Sequence, residues 1–280
     1  MKIPVKLPSG EKKMLYFDGY THTLLQFFKK AVHNHNTSVV LLFDGRSGMG
    51  KTTLSNQVGI FLDPNFGLHK MFYTPETFLE GLKNAKKGDY ICFDEAMILS
   101  NRAAISRVNK MIIIAMSMIR SKQIFVGFCI NSLFDLDKNI AIFRSEVLFH
   151  VYGDTLIDRG RYAAFFKGKD TENKLKKLYL LGKKYYDYSK PHANYVGSFT
   201  KEFVVDEKEY EKQKQVGVNT FLSGIETSSS KKYSTMITDT IERLMSKGFS
   251  QSEAGWFCGI AQQNVSKRLA TRRKTHLTPT

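Results

Sequence analysis

The chain has 280 residues, 42% hydrophobic and 12% aromatic, with a formal net charge of +16. That apolar share supports a sizeable core, which excludes a disordered polymer and makes stabilising disulfides or structural metals unnecessary. So large a positive balance points to a polyanionic partner, nucleic acid or an anionic membrane surface, unless it is only a solvated basic exterior.

The first residues, Met1-Lys2-Ile3-Pro4-Val5-Lys6, lack the apolar core of a signal peptide, and residues 1–23 read as a peripheral strand or arm. A short amphipathic helix is expected from Leu24 to Val32. It leads into Ser38-Val39-Val40-Leu41-Leu42-Phe43, an apolar run of strand type. Next stands Gly45-Arg46-Ser47-Gly48-Met49-Gly50-Lys51-Thr52, followed by a helical stretch from Thr53 to Leu62. A glycine-rich loop between a buried strand and a helix start can turn successive backbone N–H groups toward a phosphate, and the helix dipole favours the anion. In this pattern Lys51 reaches the outer phosphates and the Thr52 hydroxyl ligates magnesium, with Thr53 beside them. The expected ligands are therefore ATP and Mg2+.

A turn at residues 63–67 precedes a short strand at Met71-Phe72-Tyr73. Thr74-Pro75 then reads as N-cap and first position of a helix reaching Ala85. Tyr90-Ile91-Cys92-Phe93 is an apolar strand ending in Asp94-Glu95. Carboxylates at the C-terminal end of a parallel strand lie where such sheets hold ligands. Asp94 suits magnesium through water and Glu95 suits polarising an attacking water, although two acids can also simply cap a helix.

Ser106 to Ser121 reads as a buried helix rich in Met and Ile, flanked by Arg102, Arg107 and Arg120. Its apolar run, Met111 to Ile119, is too short to cross a bilayer, so no stable membrane insertion is expected. The next strand, Ile124 to Ile130, ends on Asn131, whose amide either senses a terminal phosphate or starts the turn. After Arg144 comes a strand from Val147 to Tyr152, with Ala163 to Phe166 as its hairpin partner. Strands alternating with helices define an α/β fold with a mostly parallel sheet. The three cysteines, Cys92, Cys129 and Cys258, stand singly without metal-ligand spacing, which fits a reducing, cytoplasmic setting.

On the loop Gly45–Thr52, on Asp94-Glu95-Ala96, on Ile119-Arg120-Ser121-Lys122-Gln123-Ile124 and on Asn131, residues 36–168 resemble the RecA-like P-loop ATPases of the FtsK–HerA division. The pattern is similar to the Zot-like ATPases of phages and mobile elements. In that division the position of Asn131 is usually Gln. The resemblance implies a virus- or mobile-element ATPase that translocates, packages, segregates or transfers DNA, working as a ring or other homo-oligomer. It places Arg120 where an arginine often precedes the strand, and Arg144 is a second candidate for a finger acting on a neighbour's nucleotide. Two rival readings fit the same residues: an AAA+-type helicase loader or transposition helper, and an ATP-switched replication, partition or regulatory DNA-binding protein, expected to be a dimer.

Residues 167–190 interleave lysines with Tyr179, Tyr185, Tyr186 and Tyr188, which suits either a nucleic-acid track or a solvated hairpin. The ATPase domain is expected over residues 1–216, with its core at about 24–168, including a charged helix from Val205 to Gln215. Residues 217–232 read as a linker and 233–280 as a small all-α helix-turn-helix domain. There Thr235 to Lys247 forms a first helix. Ser250-Gln251-Ser252-Glu253 is a capping box opening a second, which contains Trp256 as a core residue. A third runs from Gln262 to about Arg272. Gly255, Gly259 and Val265 have helix-turn-helix spacing. Gln262, Gln263, Asn264 and Ser266 are placed to read base edges, and Lys267, Arg268, Arg272, Arg273 and Lys274 to meet phosphates.

Overall fold

The computed structural model describes residues 1–94, 107–155, 158–168 and 172–276. The chain divides into two compact units, Met1–Val218 and Asn219–Thr280.

The first unit opens with an antiparallel hairpin, β1 (Lys2–Lys6) and β2 (Lys12–Tyr16), followed by helix α1 (Gly19–Asn34). The hairpin is less peripheral than its sequence suggests, because Leu15 and Phe17 are fully buried. Helix α1 also begins earlier than Leu24. Its buried stripe, Thr21, Leu25, Phe28 and Val32, starts on a polar residue, and Thr21 is held inside by the hydroxyls of Tyr162 and Tyr195. Apolar periodicity alone therefore missed the first turn.

Strand β3 (Val39–Asp44), helix α2 (Lys51–Leu62), β4 (Met71–Phe72), α3 (Pro75–Asn84), β5 (Tyr90–Phe93), α4 (Arg107–Met118) and β6 (Phe125–Cys129) follow. Then come α5 (Lys138–Ala141), β7 (Ser145–Tyr152), β8 (Arg161–Phe166), α6 (Lys174–Gly182) and β9 (Tyr195–Ser198). The sheet order is β4-β5-β6-β3-β7-β8-β9. The first five strands in that order are parallel; β8 pairs antiparallel with β7 and β9 antiparallel with β8, so β8 alone runs against the rest. The fold is thus mixed α/β around a mostly parallel sheet, with β6 lying between the loop-bearing strand β3 and the acid-bearing strand β5.

Every residue of β3 is buried, as expected of a parallel strand covered on both faces. Alternation splits the core into two layers. Val39, Leu41 and Phe43 face α1, α2 and the hairpin, whereas Val40 and Leu42 face α3, α4 and α6. Thr74 caps α3 through its side chain, with Pro75 at the first position, as the sequence indicates. In the lysine-rich stretch Tyr185 and Tyr186 are exposed, whereas Tyr179 is not. Leu175, Leu178 and Tyr179 on α6 are buried, and the Tyr179 hydroxyl donates to Leu136 O at 3.0 Å.

Residues 217–232, expected to be a linker, instead lie inside helix α7 (Glu207–Ser246), which runs unbroken through 40 residues. Loop-type composition did not interrupt the helix because this stretch holds no proline, and serines lower helix propensity only modestly. In the second unit, α7 is followed by α8 (Gln251–Phe257) and α9 (Gln262–His276). Ile237, Ile241, Ala254 and Val265 form their shared buried cluster. The capping box at Ser250 and Glu253 is present in both directions. Trp256 is 78% exposed, so the expectation that it belongs to the core is wrong. Ala254 and Gly255 take the inward face of α8 and turn Trp256 outward. Among the described residues, no helix is long and apolar enough to cross a membrane.

Helix α2 can lie close to the sheet because β6 carries Gly127. A Cβ there would stand 2.0 Å from the Tyr90 hydroxyl, which is bonded to Ser55 Oγ at 2.8 Å. We expect Gly127→Ala to lower unfolding free energy by about 2 kcal/mol through overpacking, measured by urea titration against the parent chain.

Candidate functional site

The C-terminal ends of β3, β6 and β5 bring together three segments far apart in the chain. From β3 the backbone enters the glycine-rich loop at Gly45, whose φ of 134° and close approach to Val151 O admit no side chain. Gly48 and Gly50 also take positive φ, and Gly50, as N-cap of α2, leaves that helix start without a side-chain cap. Backbone amides at such a terminus are a natural seat for an anion.

Lys51 turns back over the loop. Its Nζ donates to Gly45 O at 2.8 Å, Arg46 O at 3.2 Å and Asn131 Oδ1 at 3.1 Å. Beside it the Thr52 hydroxyl donates to Asp94 Oδ1 at 3.0 Å. Asp94 is 2% exposed, and its second oxygen, Oδ2, accepts from the Tyr210 hydroxyl at 2.7 Å. Burial, followed by the Asp94 charge, pushes the Tyr210 phenol far above its ordinary range, so it stays protonated and donates.

These groups open onto a cavity of about 530 Å3. Residues 47–53, Asp94 and Asn131 line one side. Arg159, Gly160, Phe199 to Lys201, Phe203 and the α7 residues Glu207, Tyr210, Glu211 and Lys214 line the other. Segment 199–203 is held to α2 by Gln57, whose Nε2 donates to Thr200 O and Glu202 O, each at 2.8 Å.

The donor set fits a hydrated magnesium ion. A hydroxyl and a carboxylate are the hard oxygen ligands it prefers, and it usually takes one or two protein ligands plus phosphate oxygens.

Of the residues singled out from sequence, Lys51, Thr52, Asp94 and Asn131 come together, with Ser47 to Thr53 on the cavity wall. Arg46 is exposed at the loop's tip. Glu95 and Arg102 lie outside the described residues. Arg120 and Arg144 sit elsewhere: both are exposed and precede β6 and β7 at the N-terminal edge of the sheet, where Arg120 Nε donates to Asn36 O at 3.4 Å. They are a strand length from the loop, roughly 20 Å, and so do not serve the loop of their own chain.

Beneath the loop lies a network that sequence reasoning missed. Asp44, fully buried at the end of β3, accepts from Leu133 N at 2.8 Å and from the Tyr188 hydroxyl, and pairs with His150 Nδ1 at 2.8 Å. The His150 and Tyr188 rings stack at 3.8 Å. The missed wall residues, Arg159, Phe199, Phe203, Tyr210 and Lys214, carry no motif and stand more than 100 positions after the loop.

In the second unit, Gln262, Gln263, Asn264 and Lys267 are exposed on α9 and Arg268 is partly exposed. Two residues assigned to DNA from sequence are engaged within the unit. Arg272 pairs with Asp239 and, at 3.4 Å, with Glu242, and Ser266 Oγ donates to Gln251 Oε1 at 2.7 Å. Arg273 and Lys274 lie in α9, with side chains outside the described residues.

No protein-family model matches the chain, and no curated protein matches it. Solved structures similar to it include RuvB of Thermotoga maritima, a Holliday junction branch migration motor, at 17% identity and a TM-score of 0.37. That likeness covers 50% of this chain and 46% of RuvB, so the chain matches less than half of RuvB's length. The N-terminal domain of zonular occludens toxin from Neisseria meningitidis is similar at 16% identity and a TM-score of 0.36, over 62% of this chain and 98% of that one. AMPPCP-bound DnaA from Aquifex aeolicus is similar at 12% identity and a TM-score of 0.33, over 94% and 90%. Likenesses this distant leave the chemistry to be argued from the site itself.

Asp44→Ala takes the carboxylate acceptor from the Leu133 amide and the Tyr188 hydroxyl, leaving them the longer bonds Leu133 N to Tyr188 Oη at 3.1 Å and Tyr188 Oη with Ser132 Oγ at 3.3 Å, and takes the Asp44 partner from His150. We expect a loss of about 3 kcal/mol in unfolding free energy, read by chemical denaturation.

Proposed function

We propose that this chain is a Mg2+-dependent P-loop ATPase that handles DNA. The observation that carries the reading is the convergence of Lys51, Thr52, Asp94 and Asn131 around one loop at the carboxyl edge of a parallel sheet. In this reading the loop amides of Gly45 to Thr53 and the α2 terminus hold the phosphates. Lys51, now bonded to loop carbonyls and to Asn131 Oδ1, would supply its charge to the outer phosphates, and the Asn131 amide beside it would be the group to sense the terminal one. Thr52 and Asp94 would hold magnesium, whose charge would offset the negative charge that develops on the phosphate. Glu95, next in sequence to Asp94, orients and polarises the attacking water.

DNA is assigned to the second unit, read as a helix-turn-helix with α9 as its recognition helix. Gln262, Gln263 and Asn264 are placed for base edges, and Lys267, Arg268, Arg273 and Lys274 for phosphates. Arg272, already paired with acids, serves the packing of the unit in this reading. Arg120 and Arg144 are the two candidates for a finger acting on a neighbour's nucleotide, a role that requires a homo-oligomer. The resemblance of residues 36–168 extends the proposal to DNA translocation, packaging, segregation or transfer in a virus or mobile element.

Two measurements test the reading. Glu95→Gln is expected to keep ATP binding while lowering turnover at least about 100-fold, and Lys51→Ala to abolish ATP binding. Unchanged turnover in Glu95→Gln, or unchanged binding in Lys51→Ala, sinks the ATPase assignment. Separately, Arg268→Ala is expected to weaken duplex binding alike on all sequences and to flatten the salt dependence by about one ion. Fluorescence anisotropy over a salt series gives that slope.

A further inference from the structure

The cavity wall facing the phosphate loop is built from the first turns of α7, which follow the last strand of the sheet. Tyr210 is 4% exposed. Its ring packs between Tyr73, at 6.2 Å between centroids, and Phe203, at 5.3 Å. One turn later, Lys214 Nζ lies 3.4 Å from the Tyr210 hydroxyl and 4.0 Å from Asp94 Oδ2. Another turn on, Gly217 lies against Tyr73, where a Cβ would stand 2.5 Å from Tyr73 Cβ. Thus α7 is seated by aromatic packing and reaches the site through Tyr210 and Lys214.

The consequence falls on Asp94. Its Oδ1 is bonded by the Thr52 hydroxyl and its Oδ2 by the Tyr210 hydroxyl. Two donors on two oxygens fix the plane of the carboxylate. Partners of this kind orient a metal ligand, and their removal typically costs 10- to 100-fold in metal affinity or activity. Linkage then works in both directions: a contact that strengthens metal binding is itself strengthened when the metal binds.

We propose that Tyr210 is a positioning residue for Asp94, and that metal–nucleotide binding tightens the seat of the first turns of α7. This rests on reading the loop as a magnesium-nucleotide site.

The test uses the full chain, a non-hydrolysable ATP analogue and Mn2+ as a spectroscopic stand-in for magnesium. Tyr210→Phe keeps the ring and its packing and removes only the hydroxyl. The variant is expected to bind the analogue in EDTA as the parent does, while Mn2+ affinity in the analogue complex, read by electron paramagnetic resonance, falls about tenfold. In the parent, the metal–analogue complex slows amide hydrogen exchange over residues 207–214, and in Tyr210→Phe that slowing is lost. Unchanged or raised Mn2+ affinity in the variant overturns the proposal, as does parental exchange that ignores the metal. A parent chain that binds no analogue with or without metal overturns the nucleotide reading itself, a result distinct from either of those.

Discussion

Asp44 ends the central strand of the sheet with a carboxylate that water does not reach, and much of the site's framework depends on how that charge is satisfied. Strand β3 is buried on both faces, so its last residue cannot turn its oxygens to solvent. The partners come from three other places: the Leu133 amide after β6, His150 on β7, and Tyr188 in the segment before β9. Burying a carboxylate is expensive unless it is fully bonded. Satisfying this one draws the strands on both sides of β3 and a distant tyrosine to the base of the loop. Gly45, the next residue, starts the loop from that fixed point, with Val151 O pressed against its α-carbon.

Above this base, the same carboxyl edge carries three chemical elements on three strands: the loop and Lys51 after β3, Asp94 after β5 and Asn131 after β6. Their meeting follows from sheet order, since β6 lies directly between β3 and β5. Asn131 therefore stands between the loop and the acid, and its bond to Lys51 spans the gap. The opposite wall has another origin. Segment 199–203, held by Gln57, and the start of α7 close the cavity from the far end of the domain sequence. The site is thus enclosed by residues that follow the sheet as well as by those within it.

The second unit shows how charge counts mislead about exposure. Among the described residues, Arg272 is occupied by Asp239 and Glu242, joining α9 to α7. What α9 presents outward at its start is a set of amides, with Lys267 a turn further on. Trp256 lies on the outer face of α8, next to Phe257 at 5.2 Å between ring centroids. The small residues Ala254 and Gly255 occupy the interior because the helices approach too closely for anything larger: a Cβ on Gly255 would stand 2.8 Å from Ile260 O.

Local chemistry was legible from sequence alone. The loop Gly45–Thr52, the strand ending at Asp94, the cap at Thr74-Pro75 and the capping box at Ser250 each depend on residues within a few positions of one another. The alternating strands and helices likewise declared a mostly parallel sheet. Tertiary structure alone decided which strands are neighbours, that Thr21 belongs inside, that Arg120 and Arg144 lie at the edge away from the loop, and that Asp44, His150, Tyr188 and Tyr210 are joined in buried polar networks. The physical reason is common to all of these. A hydrogen bond or ion pair between residues 44 and 188, or 94 and 210, leaves no periodicity in either segment, so it exists only once the sheet has set its strand order. The helix through residues 217–232 is the converse case, where composition suggested a break that the backbone did not need.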